Sequence, residues 1–369
     1  MGATYNSDDI VVLEALEAVR RRPGLYVGDV GDSRTLSTCV VESVRTLIHA
    51  EAARVIVTIE DDTTFEIVGE DARLSTDVRA VEAVFASLAC GCRCIQTRRV
   101  LVEECNPAFT NALSATFEVE VVGEDARTHV RWRQGVLDTR ERFDTPGERR
   151  VRVRGTLDPE IFGDRAALVA HELDVMLDDL AVVAAGVRIH WRDARDGRTR
   201  EHYAPAGLAD RVAARGVRDP LRLRTEHEDG RVLEIALGWV GDGVAHVDAW
   251  TAGWYDPTRA ALAESLLDAL ADVLLPQRAW PERGPHAAMS ANLARGLVAA
   301  VAVDTPRTAG TAFDPPTGEM LKPALGPYLL ERSALLSQLA RQIGDTPDAL
   351  SARLFMHRVS QQPAGVLRR

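Results

Sequence analysis

The spacing of apolar residues changes period several times along the chain, and each change marks an element. Ile10, Leu13, Leu16, Ala18 and Val19 keep an approximate helical face, which predicts a helix over 8–22 that Pro23-Gly24 stops. Leu36, Val40, Val44, Leu47 and Ile48 recur on one side of a second predicted helix, 36–52. The period then falls to two. Val55, Val57 and Ile59 alternate, Asp61-Asp62 turns, and Phe65 and Ile67 return, which predicts a hairpin. Helical spacing returns over 78–88, and a second hairpin is predicted at 116–122 and 128–136 around Gly123-Glu124-Asp125. A strand at 149–154, a long apolar-faced helix at 164–184 and a strand at 187–192 follow. Beyond Ala204-Pro205-Ala206-Gly207 the pattern predicts a second unit: helix 207–215, strands 220–226, 231–239 and 244–252, helix 258–274 and strand 296–304. Residues 305–327, rich in Pro, Gly and Thr, read as a loop, and 328–358 as helical. The pattern is an α+β layer sandwich over 1–205, a second α/β domain over 206–327 and a helical segment over 328–369.

Composition changes the picture in three places. A length of 369 residues exceeds one typical core and fits two domains, and 46% hydrophobic residues suit globular folding. No apolar run reaches the roughly 18–20 residues of a membrane span, and the acidic N-terminus at Asp8-Asp9 lacks a signal-peptide pattern, so the expectation is a cytoplasmic protein with no membrane partner. The net charge of −11 opposes nucleic-acid binding by the surface as a whole, leaving a local basic groove as the route to DNA. Of 44 basic residues only Lys322 is lysine.

The five cysteines, an odd number, fit a reducing compartment better than a disulfide framework. Cys90, Cys92 and Cys94 with Cys105 nearby could supply four thiolates to zinc, but C-x-C-x-C is tighter than usual zinc spacings, so buried or incidental thiols are expected and no metal ligand is assigned. The run Arg20-Arg21-Arg22 complements a helix C-terminus without any nucleic acid. Trp250, Trp254 and Tyr255 read as core or interface.

Tyr5, Ile10, Val12-Leu13, Leu16, Glu17-Ala18-Val19-Arg20, Arg22-Pro23-Gly24, Tyr26 and Gly28-Asp29 stand in one order that resembles the opening of the gyrase B and topoisomerase IV B proteins. Glu42, Asn111-Ala112-Leu113-Ser114, Arg192-Asp193 with Arg195-Asp196-Gly197, Glu234-Ile235-Ala236-Leu237 and Gly296-Leu297 continue it over roughly 4–304. The resemblance implies a GHKL (Bergerat) ATPase-like α/β sandwich, then a transducer domain of the ribosomal S5 domain 2-like type and C-terminal helices. The family's TOPRIM domain and active-site tyrosine domain have no counterpart in this sequence, so the chain is not expected to break and rejoin DNA by itself.

The resemblance also implies site residues. Glu42 stands at the general base that activates water, and 42, 45, 46 and 49 share a helix face. The family's other three positions there are acidic or amide, one an Asn that binds Mg²⁺. Here they are Arg45, Thr46 and His49, and Glu42 with Arg45 is also a simple i, i+3 ion pair. The adenine-reading Asp-Asp-Gly-Arg-Gly corresponds to Glu70, Asp71, Ala72, Arg73 and Leu74, an ordinary turn after a strand being the equal alternative. Thr46, Glu70 and Arg73 are thus vestigial nucleotide-binding positions. The glycine-rich phosphate lid corresponds to Val100–Asn106, which has no glycine and contains Glu103 and Glu104; two acids repel phosphate. The transducer lysine maps near Gly310-Thr311-Ala312, with Lys322 ten residues on as a displaced candidate, and Pro257-Thr258-Arg259 stands where the family has another transducer motif.

The expectation is a pseudo-ATPase (a pseudoenzyme) with no resident cofactor, ATP and magnesium binding only if the degenerate site still functions. Tyr5 and Ile10 match the family's dimer arm, which implies a homodimer or a heterodimer with a gyrase-B-type protein. An ATP-hydrolysing enzyme of the type II topoisomerase class is the alternative, and a DNA-binding regulatory module the second.

Overall fold

A computed structural model describes residues 15–88, 105–164, 166–226, 232–241, 243–251, 253–255 and 293–304, with single helical positions at 266, 267, 270, 337 and 340. The chain divides into two compact units, Met1–Pro205 and Ala206–Arg369.

The first unit opens with α1 (Ala15–Arg21) and the short α2 (Gly24–Val27), so Pro23 both ends one helix and leads into the next. Its long helix α3 (Ser33–His49) begins three residues before its apolar stripe because Asp32 caps it, accepting from the Arg34 N–H at 2.9 Å. Strands β1 (Arg54–Ile59) and β2 (Thr64–Glu70) form the expected hairpin, followed by α4 (Val78–Ala86). Then come α5 (Pro107–Ala112), β3 (Ser114–Val122), β4 (Arg127–Arg133), β5 (Val136–Phe143) and β6 (Arg150–Leu157). The one-turn α6 (Pro159–Phe162), α7 (Ala170–Val183), β7 (Arg188–Asp193) and β8 (Thr199–Tyr203) complete the unit.

The eight strands make one sheet in the order β5-β4-β3-β6-β2-β1-β7-β8, antiparallel throughout except for the parallel β1–β7 pair. Alternation sorts its two faces. Val55, Val57 and Ile59, Phe65 and Ile67, Phe117, Val119 and Val121, Val130 and Trp132, and Val151 and Val153 are buried on the face that α3, α4, α5 and α7 cover. The opposite face carries charge ladders, including Arg152–Glu66 at 2.6 Å and Arg131–Glu118 at 3.3 Å. Gly155 sits where a Cβ would meet the Phe65 ring at 2.6 Å, so only glycine lets that ring lie across β6.

Four elements differ from the periodicity. β5 is exposed at every position and β8 at all but His202, so neither carries an alternation. α7 begins at Ala170 rather than 164. The stretch 107–112, unassigned by pattern, is helical because Asn106 caps it and Pro107 starts it.

In the second unit α8 (Leu208–Ala213) precedes β9 (Leu221–Glu226), β10 (Val232–Trp239), β11 (His246–Thr251), the two-residue β12 (Trp254–Tyr255) and β13 (Leu297–Asp304). They form a sheet ordered β12-β11-β13-β10-β9, with β11 and β13 parallel. Trp250 is fully buried and meets Tyr255 edge-on at 5.7 Å, as expected of a core pair. The segments predicted as helix 258–274, loop 305–327 and helix 328–358 lie outside the described residues, isolated helical positions apart. Among the described residues no helix is long and apolar enough to cross a membrane.

Candidate functional site

α3 lies close over the sheet, where a Cβ on Gly69 would come within 3.2 Å of Leu47. Its residues Arg45, Thr46 and His49 are buried. Glu42 is nearly so, with 13% of its side chain exposed. The Glu42 Oε2 accepts a 2.7 Å hydrogen bond from the backbone N–H of Asn106. Its Oε1 lies 3.8 Å from Nε of Arg45, whose side chain is wholly buried. The Thr46 hydroxyl donates to the Glu42 carbonyl at 2.9 Å, turning its hydrogen back onto the helix. One turn earlier, burial pushes the Cys39 thiol up to about 12, and the Glu42 charge adds to the shift.

Asn106 joins several elements. Its Nδ2 donates to the Leu88 carbonyl at 3.0 Å, beyond the end of α4, and its Oδ1 accepts from the Ala108 N–H at 3.2 Å. Further along α5, the Thr110 hydroxyl donates to the Cys39 carbonyl at 2.8 Å, and Asn111 Nδ2 to the Phe85 carbonyl at 2.9 Å. α5 is therefore fastened to α3 and to α4 by Asn106, Thr110 and Asn111, of which only Thr110 lies outside the stretches set against the family's motifs. The readable signal was Asn-Pro, a cap followed by proline at the first helical position.

These contacts bear on the fit of a magnesium–nucleotide, the group that the sequence resemblance implies. Mg²⁺ needs oxygen ligands in near-octahedral geometry, and a guanidinium beside the metal position repels it. The α3 face offers one carboxylate already engaged by an N–H and a guanidinium, and one hydroxyl engaged by the backbone. Among the described residues, those at 42, 45, 46 and 49 do not fit the metal.

Glu70 and Arg73 sit apart from this group. Glu70 ends β2, its carboxylate 3.8 Å from Arg54, and both side chains are half exposed. Arg73 lies 3.4 Å from Glu51, and its N–H bonds the Ala50 carbonyl at 2.6 Å. That puts it at the C-terminal end of α3, about two helical turns from Glu42. Asp71 takes a left-handed φ of 60°, which makes the stretch a turn.

Arg20 and Arg21 stand in the last turn of α1, as expected. Arg20 does more than complement the helix dipole: it donates to the Ala112 carbonyl at 2.8 Å and to buried Asp158 at 2.6 Å, tying α1 to the end of α5 and the start of α6. One reading of the sequence is corrected. Cys105, expected as a buried or incidental thiol, is buried but disulfide-bonded. Tyr5, Ile10, Cys90, Cys92, Cys94, residues 100–104 of the lid counterpart, Pro257-Thr258-Arg259, Gly310-Thr311-Ala312 and Lys322 lie outside the described residues.

The fold is that of solved gyrase-type ATPase domains. The 43K ATPase domain of Thermus thermophilus gyrase B, in complex with an aminocoumarin, superposes with a TM-score of 0.69 at 20% identity, covering 95% of this chain and 98% of that one. Gyrase B of Myxococcus xanthus gives 0.65 at 22% identity, covering 92% and 99%. The topoisomerase IV ATP-binding domain of Francisella tularensis, with a small-molecule inhibitor, gives 0.64 at 16%, covering 94% and 98%. The chain thus has the GHKL fold of these ATPase domains, an α+β sandwich followed by a second α/β unit.

In sequence it is similar to DNA gyrase B. Gyrase B of Treponema pallidum is 30% identical over 212 residues, 53% of this chain and 33% of the relative. Gyrase B of Staphylococcus epidermidis is 29% identical over 217 residues, 54% and 33%. Gyrase B of Streptococcus pneumoniae is 27% identical over 223 residues, 56% and 34%. The matched stretch thus spans about a third of each of these relatives. No family model matches the chain.

Proposed function

We propose that this gyrase-B-like chain is a non-catalytic pseudo-ATPase that acts through protein contacts. The observation that carries the reading is the state of Glu42. A general base needs a carboxylate oxygen within hydrogen-bond reach of water, and a metal-assisted site needs free oxygen ligands. Here one carboxylate oxygen holds the Asn106 N–H, the other faces a buried guanidinium, and the adjacent hydroxyl is spent on the helix backbone. The absence of glycine from 100–106 supports the same conclusion, because backbone N–H groups reach phosphate most readily where no side chain intervenes. The contact partner is a second copy of this chain or a gyrase-B-type protein, approached through Tyr5 and Ile10.

A hydrolysis assay with ATP and Mg²⁺ tests the reading. The expected result is a phosphate release rate equal in wild type and Glu42→Ala. Magnesium-dependent turnover that Glu42→Ala abolishes would contradict it and identify an active ATPase.

A further inference from the structure

The failure of the α3 face to fit a metal leaves Glu42 with a role of its own. We propose that Glu42 is the internal anchor of α5: its carboxylate fixes the Asn106 N–H, with Arg45 supplying the neighbouring positive charge, so that the junction of α3, α4 and α5 is assembled without any ligand. The inference rests on the non-catalytic reading above.

The geometry supports it from three sides. The Glu42–Asn106 bond, at 2.7 Å, joins residues 64 positions apart and is charge-assisted. Asn106 transmits the hold, because its side chain reaches Leu88 and caps α5. The described residues Leu88 and Asn106 are therefore joined to each other and to α3. Arg45 completes the arrangement. A nearly buried carboxylate is costly without a compensating charge, and a guanidinium 3.8 Å away supplies one from the same helix. Thr110 to Cys39 and Asn111 to Phe85 repeat the α3–α5 and α4–α5 ties one turn further on, so the anchor fixes the start of an element already held at its end.

Residue-resolved hydrogen exchange on the full chain tests this. In wild type the Asn106 amide is protected without added nucleotide, and neither EDTA nor Mg²⁺ changes it. In Glu42→Ala it exchanges faster by roughly tenfold or more, while Glu42→Gln, which keeps an acceptor but not the charge, falls between the two. Amides of β10 and β13 serve as controls and remain as in wild type. Should Glu42→Ala not fold, Glu42→Gln alone decides. Unchanged Asn106 exchange in the folded Glu42 variants overturns the anchor. A magnesium-bound ATP analogue titrated into the same samples separates the two claims. Binding contradicts the non-catalytic reading and leaves the exchange result standing, whereas unchanged exchange with no binding contradicts the anchor alone.

Discussion

The carboxylate of Asp193 is buried at the end of β7, where Arg195 donates to it from its backbone at 3.0 Å, from Nε at 2.9 Å and from Nη2 at 2.8 Å. The same arginine reaches Asp62 at 2.7 Å and the Leu168 carbonyl at 2.9 Å, closing three loops on one side chain. The Arg195 side-chain bonds hold the Asp193 carboxyl below its usual range. A carboxyl with a lowered folded pKa contributes stability above its unfolded pKa of about 3.9 and loses it as pH falls through the folded value. Arg195→Ala is therefore expected to cost roughly 2–4 kcal/mol in urea unfolding at neutral pH, a deficit that shrinks below about pH 4. An equal deficit at both pH values would contradict the linkage. Cys39 gives a second check at this scale. With its thiol buried and pushed up to about 12, it should resist alkylation at pH 8 until the protein is unfolded. The Glu42–Arg45 pair was legible from sequence because it lies within one helical turn. The Asn106 contact was not, because nothing in a local pattern pairs residues 64 positions apart.

At the scale of elements, α7 is joined to the sheet edge by a polar knot as well as by apolar packing. Asp174 accepts from Trp191 Nε1 at 2.8 Å on β7 and lies 2.9 Å from His202 Nε2 on β8, while Arg200 meets its other oxygen. Removing this acceptor strands the indole N–H and the Nε2 of His202, whose Nδ1 keeps Asp178 at 3.2 Å. Asp174→Ala is expected to cost about 2–3 kcal/mol, read by denaturant midpoint, and to speed exchange in β8 more than in β1. Loss confined to β1 would contradict the assignment. β8 itself was hidden from the sequence for a physical reason: an edge strand with solvent on most sides needs no alternation, and its pairing with β7 is made by backbone groups that any residue supplies. β5 escaped in the same way. The central strands were readable because burial on one face forces alternate positions to be apolar.

For the whole molecule, the two-unit order and the family resemblance were visible in motifs spread over roughly 300 residues, since a fold constrains many separate positions. The state of the site depends on a few side chains, and the proposal rests on Arg45, Thr46 and His49 standing where the resemblance implies acidic or amide residues. If the chain acts through a partner, the arm matters more than the pocket. Light scattering should give about twice the 40.3 kDa chain mass, and the double variant Tyr5→Ala, Ile10→Ala should return the monomer. A monomeric wild type that retains no gyrase-B-type protein would remove the proposed partner. The central claim, that the degenerate site no longer takes a magnesium–nucleotide, is tested most directly by calorimetric titration with a non-hydrolysable ATP analogue, with and without Mg²⁺. The account predicts no binding heat up to roughly millimolar ligand, weaker than about −4 kcal/mol. Magnesium-dependent binding at micromolar ligand would contradict it.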